Sequence, residues 1–303
     1  MRGTTPCIRN RGKTVTQIMG DLPSPRVQPS RPFAVTGVDY AGPYSIKSQV
    51  GRRTKSFKCY VSIFVCFSTK AVHLELVSAS KELKEIYKNA ARIEKSSELC
   101  DYITSEGITW LFNPPTSPHY GGLWESNVKS MKFHLKRVLG STLLTYEEFL
   151  TVLTQVEACM NSRPLCAMSS DPNDFSALTP GHFLIGAPLL AIPESDLSDV
   201  KSSRLKRWSL VQQTVQHFWK RWCAEYLTTL QQRAKWFRAS PNLKCGDLVL
   251  IKNEQLPPNQ WKIGRIALIH PGSDKKVRVA TIHTAAGDFK RAVTKLCLIP
   301  NHD

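Results

Sequence analysis

Long apolar runs are missing from this sequence: its two longest, residues 60–67 and 183–192, stop well short of the ~18 unbroken apolar residues that a membrane span needs. No membrane association is expected. Met1-Arg2 leads directly into polar sequence, so no secretory signal is read and a nuclear or cytoplasmic location is expected. Internal repeats, low-complexity tracts and Cys-x-x-Cys pairs are also absent. The nine cysteines are odd in number and widely spaced, which argues against a disulfide framework and points to reduced, mostly buried thiols. Acidic residues are the scarce charge: Asp plus Glu number 24 against 41 Lys plus Arg, a formal net charge of +17. A polyanionic partner is the first expectation.

What is present is ordinary globular composition, 42% hydrophobic and 21% charged over 303 residues, enough for about two compact units at roughly 150 residues each. Residues 1–32 are basic and interrupted by Pro23, Pro25, Pro29 and Pro32, and they read as an extended arm. Residues 33–170 form the first core. Three β-rich runs at 35–46, 57–67 and 71–77 predict an antiparallel opening. Helical spacing follows from Lys81 to about Cys100, then a short buried strand at 108–112 closed by Asn113-Pro114-Pro115. A helix from Gly122 to about Leu139 carries Trp124, Val128, Met131, Leu135 and Val138 on one face, and another from about Tyr146 to Asn161 stops at Arg163-Pro164. Residues 171–240 are a Pro- and Ser-rich linker and a long helix ending near Trp236, its face marked by Leu205, Trp208, Val211, Val215, Phe218, Trp222 and Tyr226. Residues 241–303 alternate as five short strands and predict a small closed barrel.

Two segments concentrate the chemistry. In Thr36-Gly37-Val38-Asp39-Tyr40-Ala41-Gly42-Pro43 an acid interrupts an apolar strand. In Pro118-His119-Tyr120-Gly121-Gly122-Leu123-Trp124-Glu125 an acid opens a helix behind a Gly-Gly turn. Two such carboxylates could converge on a metal. Behind Glu125, Lys129, Lys132 and Lys136 continue one helix face at steps of 3 and 4, a stripe suited to phosphates. The plain alternative is a solvated helix face, with a Glu125 to Lys129 pair adding only ~0.2–0.5 kcal/mol. Lys262, Arg265, Lys275, Lys276 and Arg278 give the C-terminal strands a basic character with the same two readings. Cys66 and His73 lack an orienting acid at any telling spacing and do not read as a nucleophilic pair.

These two segments, with Asn161-Ser162-Arg163-Pro164-Leu165, Leu178-Thr179-Pro180-Gly181-His182-Phe183 and Trp261-Lys262-Ile263-Gly264-Arg265, closely resemble the integrase region of BEL/Pao-type LTR retrotransposon polyproteins over nearly the whole chain. The resemblance implies an α/β fold: an RNase H-like integrase core, a helical connector and a small SH3-like β-barrel at the C-terminus. It implies DNA as partner, homo-oligomers, and an Asp-Asp-Glu triad holding two Mg2+ or Mn2+ ions that activate water or a DNA 3′-hydroxyl. Asp39 matches the first acid and Glu125 the last, and both are the implied metal ligands. DNA contacts fall to Lys129, Lys132, Lys136, Lys262 and Arg265. The second acid is missing. Glu75-Leu76-Val77-Ser78 runs at once into Ala79-Ser80-Lys81-Glu82, the interval from Asp39 to Glu125 is 86 positions, and no acid in it has the expected strand-end setting. The core is therefore expected to be incomplete and the chain catalytically inactive. The family's zinc module is not matched either, since Cys7 is followed three positions on by Asn10, so zinc is not expected. The competing expectations are a non-enzymatic DNA-binding or assembly protein and a non-functional element fragment.

Overall fold

A computed structural model of the chain describes residues 22–51, 54–78, 105–109, 111, 122–192, 194–231, 242–252 and 256–300, with the side chains of 123–125 outside that set. The basic arm is described only from residue 22, where Pro23 and Pro25 start one helical turn, α1 (Ser24–Val27), within otherwise extended chain.

The three β-rich runs form an antiparallel meander of β1 (Thr36–Lys47), β2 (Ser56–Cys66) and β3 (Val72–Ser78). Alternation decides which face is covered. Ala41, Val61 and Leu76 align across the strands, as do Val65 and Val72, and all are buried. The register slips between Ala41 and Tyr44, at Gly42 with φ +148°, so Tyr44 and Ile46 return to the same buried side. Two helices cover it. From α2 (Gly122–Leu139) come Val128, Met131 and Leu135; from α3 (Tyr146–Asn161) come Phe149, Val152, Leu153, Val156 and Met160. Thr145 and Glu148 close a reciprocal capping box at the start of α3, satisfying two backbone donors that a helix start leaves open.

The strand expected at 108–112 is not found among the described residues. Ile108 and Leu111 are 52% and 87% exposed and lie in no strand. Beyond α2 the chain enters as β4 (Leu144–Thr145), parallel to β1 at Ile46 and Lys47 only. The sheet order is β3-β2-β1-β4.

After a two-stranded β5 (Cys166–Ala167) and β6 (Ala177–Leu178), a short α4 (Pro180–Ile185) starts under Thr179, whose backbone N–H donates to His182 Nδ1 at 3.1 Å. The long helix α5 (Arg207–Leu230) buries Val211, Val215, Phe218, Trp219 and Trp222. Trp208, expected on that face, is 57% exposed, because the first turn is held instead by Arg207, which donates to Glu148 and to the Leu143 carbonyl. Burial of the consecutive Phe218 and Trp219 shows that α5 is covered on two sides.

The second cover is the C-terminal sheet: β7 (Leu248–Ile251), β8 (Ile263–Pro271), β9 (Val277–Thr284), β10 (Gly287–Ala292) and β11 (Leu296–Leu298), all antiparallel in the order β10-β9-β8-β7-β11. The five expected strands are all present. The expected closure is not: β10 and β11 do not pair, and a 3-10 turn at Val293–Lys295 carries the chain from one edge to the other. Val249, Ile251, Ile266, Ala280, Ile282 and Leu296 fill one side. Leu248, Leu250, Cys297 and Ile299 fill the other, together with Leu227 of α5. The connector helix therefore belongs to both cores.

Candidate nucleic-acid interface

Asp39 sits mid-strand in β1 opposite Ile63, on the sheet face that the helices cover, between Gly37 and Ala41. It is half-buried, and its Oδ1 accepts the Tyr40 N–H at 2.7 Å. Glu75 cannot join it. Glu75 aligns with Ser62 and Tyr40, one residue out of phase, and so lies on the opposite face. There, burial first and the Glu75 charge second push the Tyr40 phenol up. Glu106 is exposed. Glu125 lies in the first turn of α2, and its side chain, like the acids at 82–101, is outside the described residues. Among the described residues no group of three or more His, Cys, Asp or Glu could hold a metal. One carboxylate does not meet the near-octahedral oxygen shell of Mg2+. Cys7 and the rest of residues 1–21 also lie outside the described residues.

The lysine stripe lies where its spacing puts it. Val128, Met131 and Leu135 turn α2 towards the core, which leaves Lys129, Lys132 and Lys136 exposed along one flank of that buried stripe. Among the described residues, none of the ion pairs involves them. The sequence reading missed two neighbours on that face. Phe133 is 47% exposed, and the Arg137 guanidinium stacks 3.4 Å from its ring centroid. Their i,i+4 spacing was the available signal. On the inner side His134 Nε2 lies 2.5 Å from Glu225 of α5, tying the two helices together.

In the C-terminal sheet the two named residues part company. Lys262 is half-exposed, its Nζ 4.4 Å from the Phe289 ring centroid, with the Arg291 guanidinium 5.5 Å from the same ring. Arg265 is 4% exposed, and its guanidinium donates to the carbonyls of Asp174 at 2.8 Å, Gly246 at 2.9 Å and Ser169 at 2.5 Å. The expected DNA contact at Arg265 is corrected: this cation holds the loop at 169–174 against the sheet. Arg278 faces Asp274 at 2.7 Å, while Lys275 and Lys276 are exposed.

Asn161-Ser162-Arg163-Pro164 proves to be a joint. Asn161 bonds the outer edge of β3, and Arg163 donates to the carbonyls of Met160 and Lys70, both at 2.5 Å. Burial pulls the Arg163 guanidinium down to about 10, still a cation at neutral pH, and the end of α3 supplies the partial negative charge it needs. Ser162 Oγ accepts the Trp261 indole N–H at 3.2 Å, and the Tyr226 hydroxyl donates to the Pro164 carbonyl. Cys59, Cys66, Cys159, Cys166 and Cys297 are buried, and Cys245 is exposed.

Residues 206–299 match a family model described as a family of unknown function (DUF5641). That segment runs from the residue capping α5 through the last strand, the same helix-plus-sheet unit that shares the second core. No curated protein matches the chain. Among solved structures, the chain is similar to one chain of a cryoEM structure titled simian T-cell lymphotropic virus intasome in complex with PP2A regulatory subunit B56 gamma. The identity is 14% over 94% of this chain and 85% of that one, at a TM-score of 0.34.

Proposed function

We propose that this chain is an integrase-derived, DNA-binding protein of BEL/Pao type, with an incomplete RNase H-like core and an SH3-like C-terminal unit, and that it does not catalyse DNA integration. The observation that carries the reading is the α2 face: three exposed lysines at helical spacing, with a stacked arginine nearby, beside an apolar stripe buried in the core. Exposed cations neutralise phosphates, and contacts to phosphate position a protein on a duplex without reading bases.

Catalysis is not expected. The described donor set at Asp39 is a single carboxylate, and two ions about 4 Å apart need more than Asp39 and Glu125 between them. A homo-oligomer on DNA belongs to the same reading.

A salt titration on two unrelated duplexes tests it. The logarithm of affinity should fall with log salt by about 0.9 per contacted phosphate, and Lys129→Ala/Lys132→Ala/Lys136→Ala should flatten that slope on both duplexes alike. An unchanged slope, or a loss confined to one duplex, refutes the assignment of this face. Incubation with matched DNA ends and Mn2+ should yield no joined product, and product that vanishes in Asp39→Asn would refute the loss of catalysis.

A further inference from the structure

Residues 183–193 carry no charged side chain, in a chain that is 21% charged. The structure turns large apolar side chains of this run outward. Ile185 ends α4, and Leu190 and Ile192 follow in irregular chain, 61%, 79% and 85% exposed, with Phe183 exposed beside them. Together they present apolar surface on the order of 500 Å2, at the upper end of the largest patch on a typical monomer, ~300–600 Å2, which is often functional.

The row is fixed from both sides. Leu189 packs on α4 where Gly181 has no side chain, since a Cβ there would stand 2.9 Å from Leu189 Cγ. Downstream, buried Gln216 of α5 donates to the Ser195 carbonyl and accepts the Leu197 N–H, both at 2.8 Å. Buried Gln213 donates to the carbonyls of Leu197 at 2.7 Å and Val200 at 2.6 Å, and accepts the Ser202 hydroxyl at 3.1 Å. Contacts pass from Gln216 to Gln213 as the chain advances, so residues 195–206 run back along α5 towards its start at Arg207.

Charge changes sign along that path. Glu194, Asp196 and Asp199 come first, with no cation among them; Lys201, Arg204 and Lys206 come next, with no acid, and lead to the exposed Trp208. All six charged side chains are exposed, and among the described residues none of the ion pairs involves them. A two-fold axis crossing α5 near Gln213 would reverse the order in a second copy, setting acids against cations and the apolar row towards Trp208. A net charge of +17 opposes association between copies, so a contact between them needs a local acidic strip of this kind. A second copy supplies the cations and the exposed aromatic that the acids and the apolar row call for.

We propose that this surface docks a second copy of the chain as an isologous dimer, Glu194 and Asp199 of each copy facing Lys201 and Arg204 of the other, and Leu190 and Ile192 packing against the other's Trp208 region. With the charged strips the surface reaches the scale of a standard interface, about 800 Å2 per partner. The inference rests on the homo-oligomer in the reading above and not on DNA contact.

Sedimentation velocity of the nuclease-treated full chain, without DNA and over a concentration series, tests it. The wild type should dimerise, and Leu190→Ser/Ile192→Ser should weaken the dimer about tenfold or more without lowering the thermal midpoint of the dilute monomer. Glu194→Lys/Asp199→Lys and Lys201→Glu/Arg204→Glu should each lose self-association, and an equimolar mixture of the two should recover it as a heterodimer. Lys129→Ala/Lys132→Ala/Lys136→Ala should leave the dimer unchanged, and the Leu190→Ser/Ile192→Ser monomer should still bind both duplexes, so the two readings fail separately. The proposal is overturned by a wild type that stays monomeric throughout the series, by a dimer that none of the interface variants weakens, or by a charge-reversed mixture that does not recover. A lower monomer midpoint in Leu190→Ser/Ile192→Ser overturns it too, because the row would then pack within its own copy.

Discussion

Asn161 behaves as an extra strand residue beside Val72. Its side-chain carbonyl accepts the Val72 N–H at 2.8 Å, and its side-chain amide donates to the Val72 carbonyl at 2.7 Å. One helical turn earlier, Glu157 accepts the Leu74 N–H at 2.8 Å. The outer edge of the sheet is thus closed by two side chains of α3 rather than by another strand, which also protects it from pairing with foreign chains.

Replacing Asn161 by Ala should therefore leave a buried donor and a buried acceptor unmatched, at about 1–3 kcal/mol each. The expected loss of unfolding free energy is about 2–5 kcal/mol, read from urea denaturation followed by tryptophan fluorescence. Asn161→Asp keeps the acceptor but sets a carboxylate against the Val72 carbonyl, and should be no milder. A loss below about 1 kcal/mol for the Ala variant would show that the edge does not depend on this amide.

Acid should weaken the junction of α3 and α5 through Glu148. Burial pushes this carboxyl up, but the Arg207 guanidinium and the Thr145 backbone N–H bind its charged form, and the net shift is downward. A carboxylate depressed in the folded state contributes stability above its unfolded value, roughly pH 4.3, and loses that contribution as pH falls through the folded value. Thermal midpoints of the wild type and Glu148→Gln should therefore differ at pH 6 to 7 and converge as pH drops below about 4. Parallel curves across that range would show that the ion pair is not coupled to folding.

How much of this was legible in the sequence depends on which force sets each element. Alternation and helical period fix a residue's face wherever one side is covered, so β1 to β3, α2, α3 and all five C-terminal strands lie close to their expected places. Three features depend on non-local geometry and were not legible. Trp219 is buried because a second layer lands on α5, which a one-face reading of that helix cannot contain. No strand is found at the described residues 108, 109 and 111, although apolar β-rich sequence predicts one there. Arg265 alternates like a surface cation, yet a loop some 90 residues earlier in the chain wraps its guanidinium. The lysine stripe was legible because it needs only the helical period.

Trp261 should prove to be the pin between α5 and the C-terminal sheet. Its ring meets Trp219 edge-on at 4.9 Å and Tyr226 at 5.6 Å, with Trp222 at 6.1 Å, and its N–H reaches Ser162 at the end of α3. Trp261→Ala removes a partly buried aromatic and should cost about 3–5 kcal/mol, whereas Trp261→Phe keeps most of the packing and should lose about 1 kcal/mol for the hydrogen bond. Denaturation of both variants measures the difference. Equal losses would place the contribution in the Ser162 bond rather than in the aromatic cluster.

Lys262 and Arg265 lie three positions apart in one motif, yet they should respond in opposite ways to the same substitution. Lys262 is half-exposed over the face of Phe289, where its ammonium remains able to meet a phosphate. Lys262→Ala should weaken both unrelated duplexes equally and reduce the salt slope by about 0.9, the amount for one phosphate contact, with little change in folding stability. Arg265 is buried among three backbone carbonyls. Arg265→Ala leaves those acceptors without a donor, so it should lower stability by about 2–4 kcal/mol while the folded fraction keeps the wild-type salt slope. The discriminating measurement pairs a denaturation curve with a salt titration for each variant, since affinity alone would confuse partial unfolding with a lost contact. If Arg265→Ala reduced the slope and left the denaturation curve in place, the guanidinium would be facing DNA rather than the loop at 169–174.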